Sequence, residues 1–150
     1  MESTRSAIKS FLETYRAAKA PIIHIWHKTP SGAPVFTEGT PLSEIFDVLK
    51  PLESETVISK GHPGSFTGTN LQEVIEKTGR KQVALVGYMA HVCVSTTARQ
   101  AAERGYDVVL VKEAIGDRDI PGIKAAELVE TVLKELADAF GTVVGIDEVK

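Results

Sequence analysis

The sequence contains a single cysteine, Cys93, among its 150 residues. One thiol excludes an intramolecular disulfide and any metal site built from several cysteines. The chain also lacks an excess of positive charge: 17 Lys and Arg stand against 20 Asp and Glu, so nucleic acid is not an expected partner. No apolar run approaches the roughly 18 residues that a membrane-spanning helix needs. Residues 1–5 are polar and unlike a signal peptide, so we expect a cytoplasmic protein that does not bind membranes.

The sequence does contain enough apolar material for one folded domain. Hydrophobic residues make up 43% of the chain and charged residues 25%, values typical of globular proteins. A chain of this length commonly forms a single domain, and no repeat, low-complexity tract or linker divides it. We therefore expect one domain over residues 1–150.

Short apolar runs alternate along the chain with helical patterns. The predicted strands are 22–26, 56–60, 81–88, 106–112 and 142–146. The predicted helices are 3–18, 42–50, 69–79, 92–104 and 121–140, and a long loop is predicted after residue 26. The strands are continuous apolar runs rather than alternating ones, which is typical of a parallel sheet covered by helices on both faces. The sequence therefore predicts an α/β fold with a mostly parallel sheet.

Ligands bind open α/β sheets outside the carboxyl ends of the strands. Three places lie at or just after the end of a predicted strand: His27, Lys60 and the segment 88–93. Cys93 lies close to the start of a helix, where backbone N–H groups and the helix dipole favour a thiolate. The same N–H groups could hold an oxyanion. The alternative is that Cys93 only fills space in the core, as free cysteines often do.

Lys60 and the histidines are the other candidates for chemistry. Lys60 is expected to point into the crevice near Cys93, where its charge would lower the thiol pKa; the alternative is a solvated lysine at a loop start. His24 and His27 are three apart on a strand and so face opposite sides, which argues against a shared metal ion. We expect no metal or cofactor. His91 is two residues from Cys93, but spacing at a turn does not fix whether it could serve as a base.

Two segments resemble the motifs of the isochorismatase-like cysteine hydrolases. Residues 57–60 and 64–71 are similar to the family's lysine motif. Residues 87–94, followed by 97–99 and 105–106, are similar to its nucleophile motif, in which a glycine precedes Cys-Val. Residues 112–114 resemble the strand end that comes next. The resemblance extends from about residue 17 to the C-terminus.

The resemblance implies a doubly wound α/β fold with helices on both faces and a catalytic triad of Asp, Lys and Cys. Lys60 and Cys93 match the second and third members. A cis peptide between Tyr88 and Met89 is implied, with the Met89 and Cys93 N–H groups forming the oxyanion hole. The implied activity is hydrolysis of a small-molecule amide, or a related C–N or C–O bond, by a Cys nucleophile, and a homo-oligomer is possible. We assign Trp26, His27, Phe66 and His91 to a possible substrate pocket.

The family's first strand and its triad aspartate have no counterpart in this sequence. Asp47 lies in a predicted helix and Asp107 begins a strand. Three explanations are open: a fragment or incomplete product, a rearranged sheet completed by a partner chain, or a relative that no longer catalyses. The last would be a non-enzymatic α/β binding or interaction protein. A redox-sensing thiol is less favoured because the chain has no resolving cysteine.

Overall fold

The computed structural model describes residues 2–41 and 43–149. The helices and strands follow one another along these residues in the order α1, β1, β2, α2, β3, α3, β4, α4, β5. The helices are α1 Glu2–Ala17, α2 Leu71–Lys77, α3 Ser95–Glu103 and α4 Ala125–Ala139. The strands are β1 Ile23–His27, β2 Thr56–Lys60, β3 Gln82–Tyr88, β4 Asp107–Gly116 and β5 Thr142–Val144. None of the described helices has both the length and the apolarity needed to cross a bilayer.

All strand pairs are parallel. β1 pairs with β2, with His27 opposite Lys60. β3, β4 and β5 form a second ladder in that order, with Gln82 opposite Asp107. The predicted α/β class with parallel strands is confirmed. Within residues 2–41 and 43–149 no ladder joins β1 to β3. The missing first strand stays a prediction.

Two hydrophobic clusters lie on opposite faces of the strands, which explains the continuous apolar runs. One contains Val108 and Leu110 of β4 together with the buried residues of α2, α3 and α4. The other contains Val111 and Ala114 of β4 together with the buried residues of α1. Because neighbouring strand residues point to opposite faces, β4 must be apolar at successive positions to supply both clusters. The predicted placement of helices on both faces is confirmed.

The predicted helix over 42–50 is wrong for the part that the structure describes. Leu42, where it was to begin, lies outside the described residues. Of the rest, only Asp47–Leu49 form a short 3₁₀ turn. Phe46 before it is extended, with ψ of 133°, and its ring packs against Tyr88 and under the Arg5 guanidinium. These tertiary contacts override the weak local helix preference.

The last helix begins later than the predicted residue 121. Ile120 and Ile123 exchange backbone hydrogen bonds across a tight turn, and Gly122 in that turn has a φ of +84°. The Asp119 carboxylate then accepts a hydrogen bond from the Ala125 N–H. Helix α4 therefore starts at Ala125, where Asp119 satisfies one of the free amides of its first turn.

Candidate active site

The carboxyl ends of the strands bring the chemically interesting residues together. β1 ends at His27 and β2 at Lys60, which are register partners. β3 ends at Tyr88, opposite Gly116 at the end of β4. The segments that leave these four strand ends carry the thiol, an ammonium group, imidazoles and a buried carboxylate. This is the edge at which parallel α/β folds bind their ligands.

Cys93 lies on a short π-helical turn between β3 and α3. The peptide between Tyr88 and Met89 is cis, as the resemblance predicted. The Met89 carbonyl then accepts hydrogen bonds from the N–H groups of Val92, at 3.2 Å, and Val94, at 3.1 Å. The second of these bonds spans five residues and defines the π turn. Cys93 is 9% exposed, so most of the residue is covered by its neighbours and little of it reaches the surface.

Lys60 is buried, with only 5% of its surface exposed. Its Nζ donates to the carbonyl oxygens of His62, at 2.9 Å, and Pro63, at 2.6 Å. It also lies 3.2 Å from Nδ1 of His27. These three partners match the three hydrogens of an ammonium group. The alternative of a solvated lysine at a loop start is therefore wrong. Within the described chain no carboxylate forms an ion pair with this ammonium group.

His27 lies between the ammonium group and the thiol. Its Nδ1 is 3.2 Å from Nζ of Lys60 and 3.7 Å from Sγ of Cys93. The ring stacks on Phe36, with the centroids 4.9 Å apart. Burial, followed by the charges of Lys60 and His62, holds the pKa of His27 below its ordinary value. These surroundings favour the neutral form of His27, and one ring nitrogen lies near both Nζ of Lys60 and Sγ of Cys93.

The loop after β2 is fixed to the helix that follows Cys93. Ser65 donates its N–H to the Thr97 hydroxyl at 3.1 Å, and the two hydroxyls are 2.9 Å apart. The Phe66 N–H donates to the Gln100 side chain. Gly64 lies so close to Gln100 that a Cβ there would come within 2.4 Å of it. These contacts set the distance between the segment that holds Lys60 and the segment that holds Cys93.

His91 is held by Asp117, a residue that the sequence analysis did not select. The Asp117 side chain has no exposed surface. Its Oδ2 accepts from the His91 N–H at 2.9 Å and lies 2.6 Å from His91 Nδ1, and its Oδ1 accepts from the Arg118 N–H. The structure thus ties His91 to the end of β4. In the sequence Asp117 lies five positions after the predicted strand 106–112, so no predicted strand end pointed to it; the structure extends β4 to Gly116.

Trp26 and Phe66 have other partners. Trp26 donates its indole N–H to the Ser43 carbonyl, and Lys28 lies over its ring. Phe66 is 7% exposed within the core cluster that includes α2, α3 and α4, and it stacks on Tyr106. The structure brings His27, Lys60 and Cys93 together; a pocket role for Trp26, Phe66 and His91 stays a prediction.

The separation of His24 from His27 is as predicted. Nε2 of His24 lies 2.8 Å from the Glu55 carboxylate, which also binds Arg16 through two hydrogen bonds. No group of three or more His, Cys, Asp or Glu side chains in the described ranges is arranged to hold a metal ion.

A cleft of about 650 Å³ lies at the amino ends of β1 and β2, lined in part by Ile23, Glu55 and Thr56. It is at the opposite end of these strands from Lys60.

The chain is similar to known proteins of one family. A family model described as the isochorismatase domain matches residues 1–148. The chain is 60% identical to the secreted isochorismatase effector Isc1 of Verticillium dahliae over 99% of this chain and 78% of that protein. It is 28% identical to nicotinamidase 3 of Arabidopsis thaliana over 93% of this chain and 74% of that protein.

Among solved structures, an isochorismatase from Pseudomonas putida superimposes with a TM-score of 0.95 at 32% identity. The match covers all of this chain and 79% of the Pseudomonas putida chain. The family model spans nearly the whole sequence, and the fold matches that of the solved isochorismatase. This chain therefore belongs to the isochorismatase family of hydrolases.

Proposed function

We propose that this hydrolase uses Cys93 as a nucleophile against the carbonyl carbon of a small-molecule amide. The observation that carries the proposal is the shared environment of the thiol and the buried ammonium group. Lys60 and Cys93 both lie beside the same nitrogen of His27, at 3.2 and 3.7 Å. The thiolate is the reactive form of a cysteine, and an ammonium group beside the same imidazole is a suitable partner for it during the reaction.

The reaction proceeds in two stages. Sγ loses its proton and bonds to the carbonyl carbon while the carbonyl π pair moves onto oxygen. The carbonyl then re-forms as the C–N bond breaks, and the amine leaves with the proton that the thiol lost, giving a thioester on Cys93. Water adds to the thioester, the C–S bond breaks, and a proton of that water returns to Sγ. Lys60 stabilises the thiolate that attacks in the first stage and leaves in the second.

The oxyanion is held by backbone amides of the nucleophile turn. The amides of His91, Val92 and Val94 already donate to protein oxygens. We assign the oxyanion to the N–H groups of Met89 and Cys93, the pair that the family resemblance indicates. Amides fixed by the surrounding backbone stabilise developing charge without having to reorganise.

A second candidate reaction is hydrolysis of isochorismate. The 60% identity to a protein named as an isochorismatase effector favours it. An enol ether such as isochorismate has no carbonyl carbon at the bond to be broken, so its hydrolysis requires protonation of the alkene carbon rather than thiolate attack. The two candidates therefore make opposite predictions for a variant that lacks the thiol.

The test is turnover by the full chain of a panel that includes nicotinamide, small aliphatic primary amides and isochorismate. We expect the wild type to hydrolyse at least one amide and Cys93→Ala to lose that activity. Isochorismate hydrolysis that survives in Cys93→Ala would favour the second candidate. No turnover by the folded wild type across the panel would overturn both and leave a non-enzymatic binding protein.

Two further expectations concern the cellular location of the protein and its oligomeric state. The cytoplasmic location and the homo-oligomer stay predictions, and the similar Verticillium dahliae protein is named as secreted. Fractionation of the producing cells and their medium tests the first, and light scattering of the purified chain tests the second.

A further inference from the structure

We propose that Asp117 is a positioning residue for the oxyanion hole of this site and that it acts through His91. The proposal rests on the proposed function, since the oxyanion forms only if Cys93 attacks a carbonyl carbon. Within the described residues, the side chain that lies in hydrogen-bonding contact with Sγ is His27. Asp117 therefore contributes to the geometry of the site and does not touch the reacting atoms.

The sheet places Asp117 beside the start of the turn that carries Cys93. β3 and β4 are parallel neighbours, and their last residues, Tyr88 and Gly116, are register partners. Met89 directly follows the first of these strands and Asp117 directly follows the second. β4 is the central strand of the ladder β3-β4-β5, so a residue at its end has a well-fixed backbone. A side chain at this point can hold the neighbouring turn against the sheet.

One oxygen of Asp117 contacts two donors of His91. Oδ2 accepts from the His91 N–H at 2.9 Å and lies 2.6 Å from Nδ1 of the ring. An ionised carboxylate only accepts hydrogen bonds, so the tautomer with a proton on Nδ1 fits this contact. The main chain and the side chain of His91 are thus held by the same oxygen. His91 cannot turn about its own backbone without breaking one of the two contacts.

Burial strengthens this attachment. The Asp117 side chain has no exposed surface, and the ring of His91 is its ion-pair partner. The other carboxylate oxygen, Oδ1, accepts from the Arg118 N–H at 2.8 Å. Because the carboxylate is covered, water does not compete for its oxygens, and hydrogen bonds to a charged acceptor are stronger than those between neutral groups. The position of Asp117 is therefore set by protein N–H groups.

His91 is the middle residue of the segment that forms the oxyanion hole. The assigned donors are the N–H groups of Met89 and Cys93, which lie two residues before and two residues after it. The Met89 carbonyl accepts from two later amides of the turn, and these bonds set the shape of the turn from within. The His91 N–H is instead directed out of the turn to Asp117. This contact sets how the turn, and with it the two donors, is oriented relative to the sheet.

The experiment compares two reactions of the Cys93 thiolate in the full chain. In acylation by 4-nitrophenyl acetate, Sγ bonds to the carbonyl carbon, an oxyanion forms, and 4-nitrophenolate leaves. In alkylation by iodoacetamide, Sγ bonds to the CH₂ carbon as iodide leaves, and no oxyanion forms. Both reactions consume the same thiolate, so the ratio of their rate constants cancels any change in thiol ionisation. Cys93 is the only cysteine in the sequence, and the mass of the acid-quenched protein follows each reaction.

Asp117→Ala is the informative variant, because it removes all three contacts of the carboxylate. We expect the ratio of acylation to alkylation to fall about 10²-fold, the size of effect that a misplacement of about 1 Å can have on a catalytic group. If Asp117→Ala does not fold, as judged by circular dichroism, Asp117→Asn is measured against the same expectation. A folded variant that keeps the wild-type ratio would overturn the proposal.

The ratio separates positioning from a merely structural role. If Asp117 only stabilised the fold, the variant would be less stable but its two rate constants would keep the wild-type ratio, which is the result that overturns the proposal. Asp138→Ala removes an exposed carboxylate on α4 and should keep that ratio as the matched control. Failure of the proposed function has a different signature, because then the wild type itself would gain no acetyl group on Cys93.

Discussion

Ser65 and Thr97 join the two halves of the site through a pair of buried hydrogen bonds. The Ser65 N–H donates to the Thr97 hydroxyl at 3.1 Å, and the two hydroxyls are 2.9 Å apart. Ser65 belongs to the loop that leaves the end of β2 close to Lys60, and Thr97 belongs to the helix that follows Cys93. The threonine of the nucleophile motif thus has a structural explanation: it fixes the ammonium-bearing segment to the thiol-bearing one.

Thr97→Val should destabilise the protein. The variant keeps the side-chain volume but removes the hydroxyl, which leaves the buried Ser65 N–H and hydroxyl without this partner. We expect a loss of about 1–3 kcal/mol in the free energy of unfolding, measured by denaturant titration at neutral pH. Thr131→Val makes the same exchange at an exposed site on α4 and should change stability by less than about 0.5 kcal/mol. Equal stabilities for the two variants would refute this role of Thr97.

Glu55 should make stability depend on acidity. Its carboxylate accepts hydrogen bonds from Arg16, His24 and the Leu52 N–H, and the Arg16 bond contributes most to lowering its pKa from 4.5 to about 2. A carboxylate whose folded pKa is depressed stabilises the fold fully above its unfolded pKa. That contribution is lost as the pH falls from 4.5 toward 2.

Glu55→Gln measures this contribution. We expect it to lower the free energy of unfolding by about 2 kcal/mol at pH 7, since the charged hydrogen bonds to the carboxylate are weakened. The loss is no larger because Arg16 is partly exposed and solvent already weakens its ion pair. The difference from the wild type should shrink as the pH is lowered toward 2. Glu130→Gln, at an exposed ion pair with Lys134, should cost less than about 0.5 kcal/mol. A Glu55→Gln difference that does not change between pH 7 and pH 3 would contradict the assignment.

Asp117→Asn should loosen the turn that carries Cys93. An asparagine offers one acceptor oxygen where Asp117 uses two, and its NH₂ group would face an N–H donor of His91 or Arg118. For a side chain with no exposed surface we expect a loss of about 1–3 kcal/mol in stability. Amide turnover should fall as well. Asp138→Asn, at an exposed position on α4, is the matched control. Its stability and its amide turnover should equal those of the wild type.

Much of the fold follows from patterns that are local in the sequence. The continuous apolar run at Val108–Val111 predicts a strand covered on both faces, because such a strand must supply two cores. Gly105 correctly predicts the end of the preceding helix, since it adopts a φ of +83°. The failure at residues 42–50 has the opposite cause. There the conformation of Phe46 is set by Arg5 and Tyr88, which are distant in sequence.

The same distinction separates the site residues that could be predicted from those that could not. Cys93 and Lys60 follow apolar runs, and their motifs identify them. His27 also follows a strand, but its contact with Cys93 joins residues 66 positions apart. The contact between Asp117 and His91 spans 26 positions. No local pattern encodes such pairs, because they arise from how the strand ends meet in space.

The central claim is that Cys93 carries the acyl group during turnover. Its most direct test is intact mass spectrometry of the wild type and Cys93→Ala, acid-quenched soon after mixing with 4-nitrophenyl acetate, followed by peptide mapping. We predict one acetyl group on the wild type, located on the peptide that contains Cys93, and none on the variant. An unmodified wild-type protein, or an acetyl group that maps to another residue and persists in Cys93→Ala, would contradict the account.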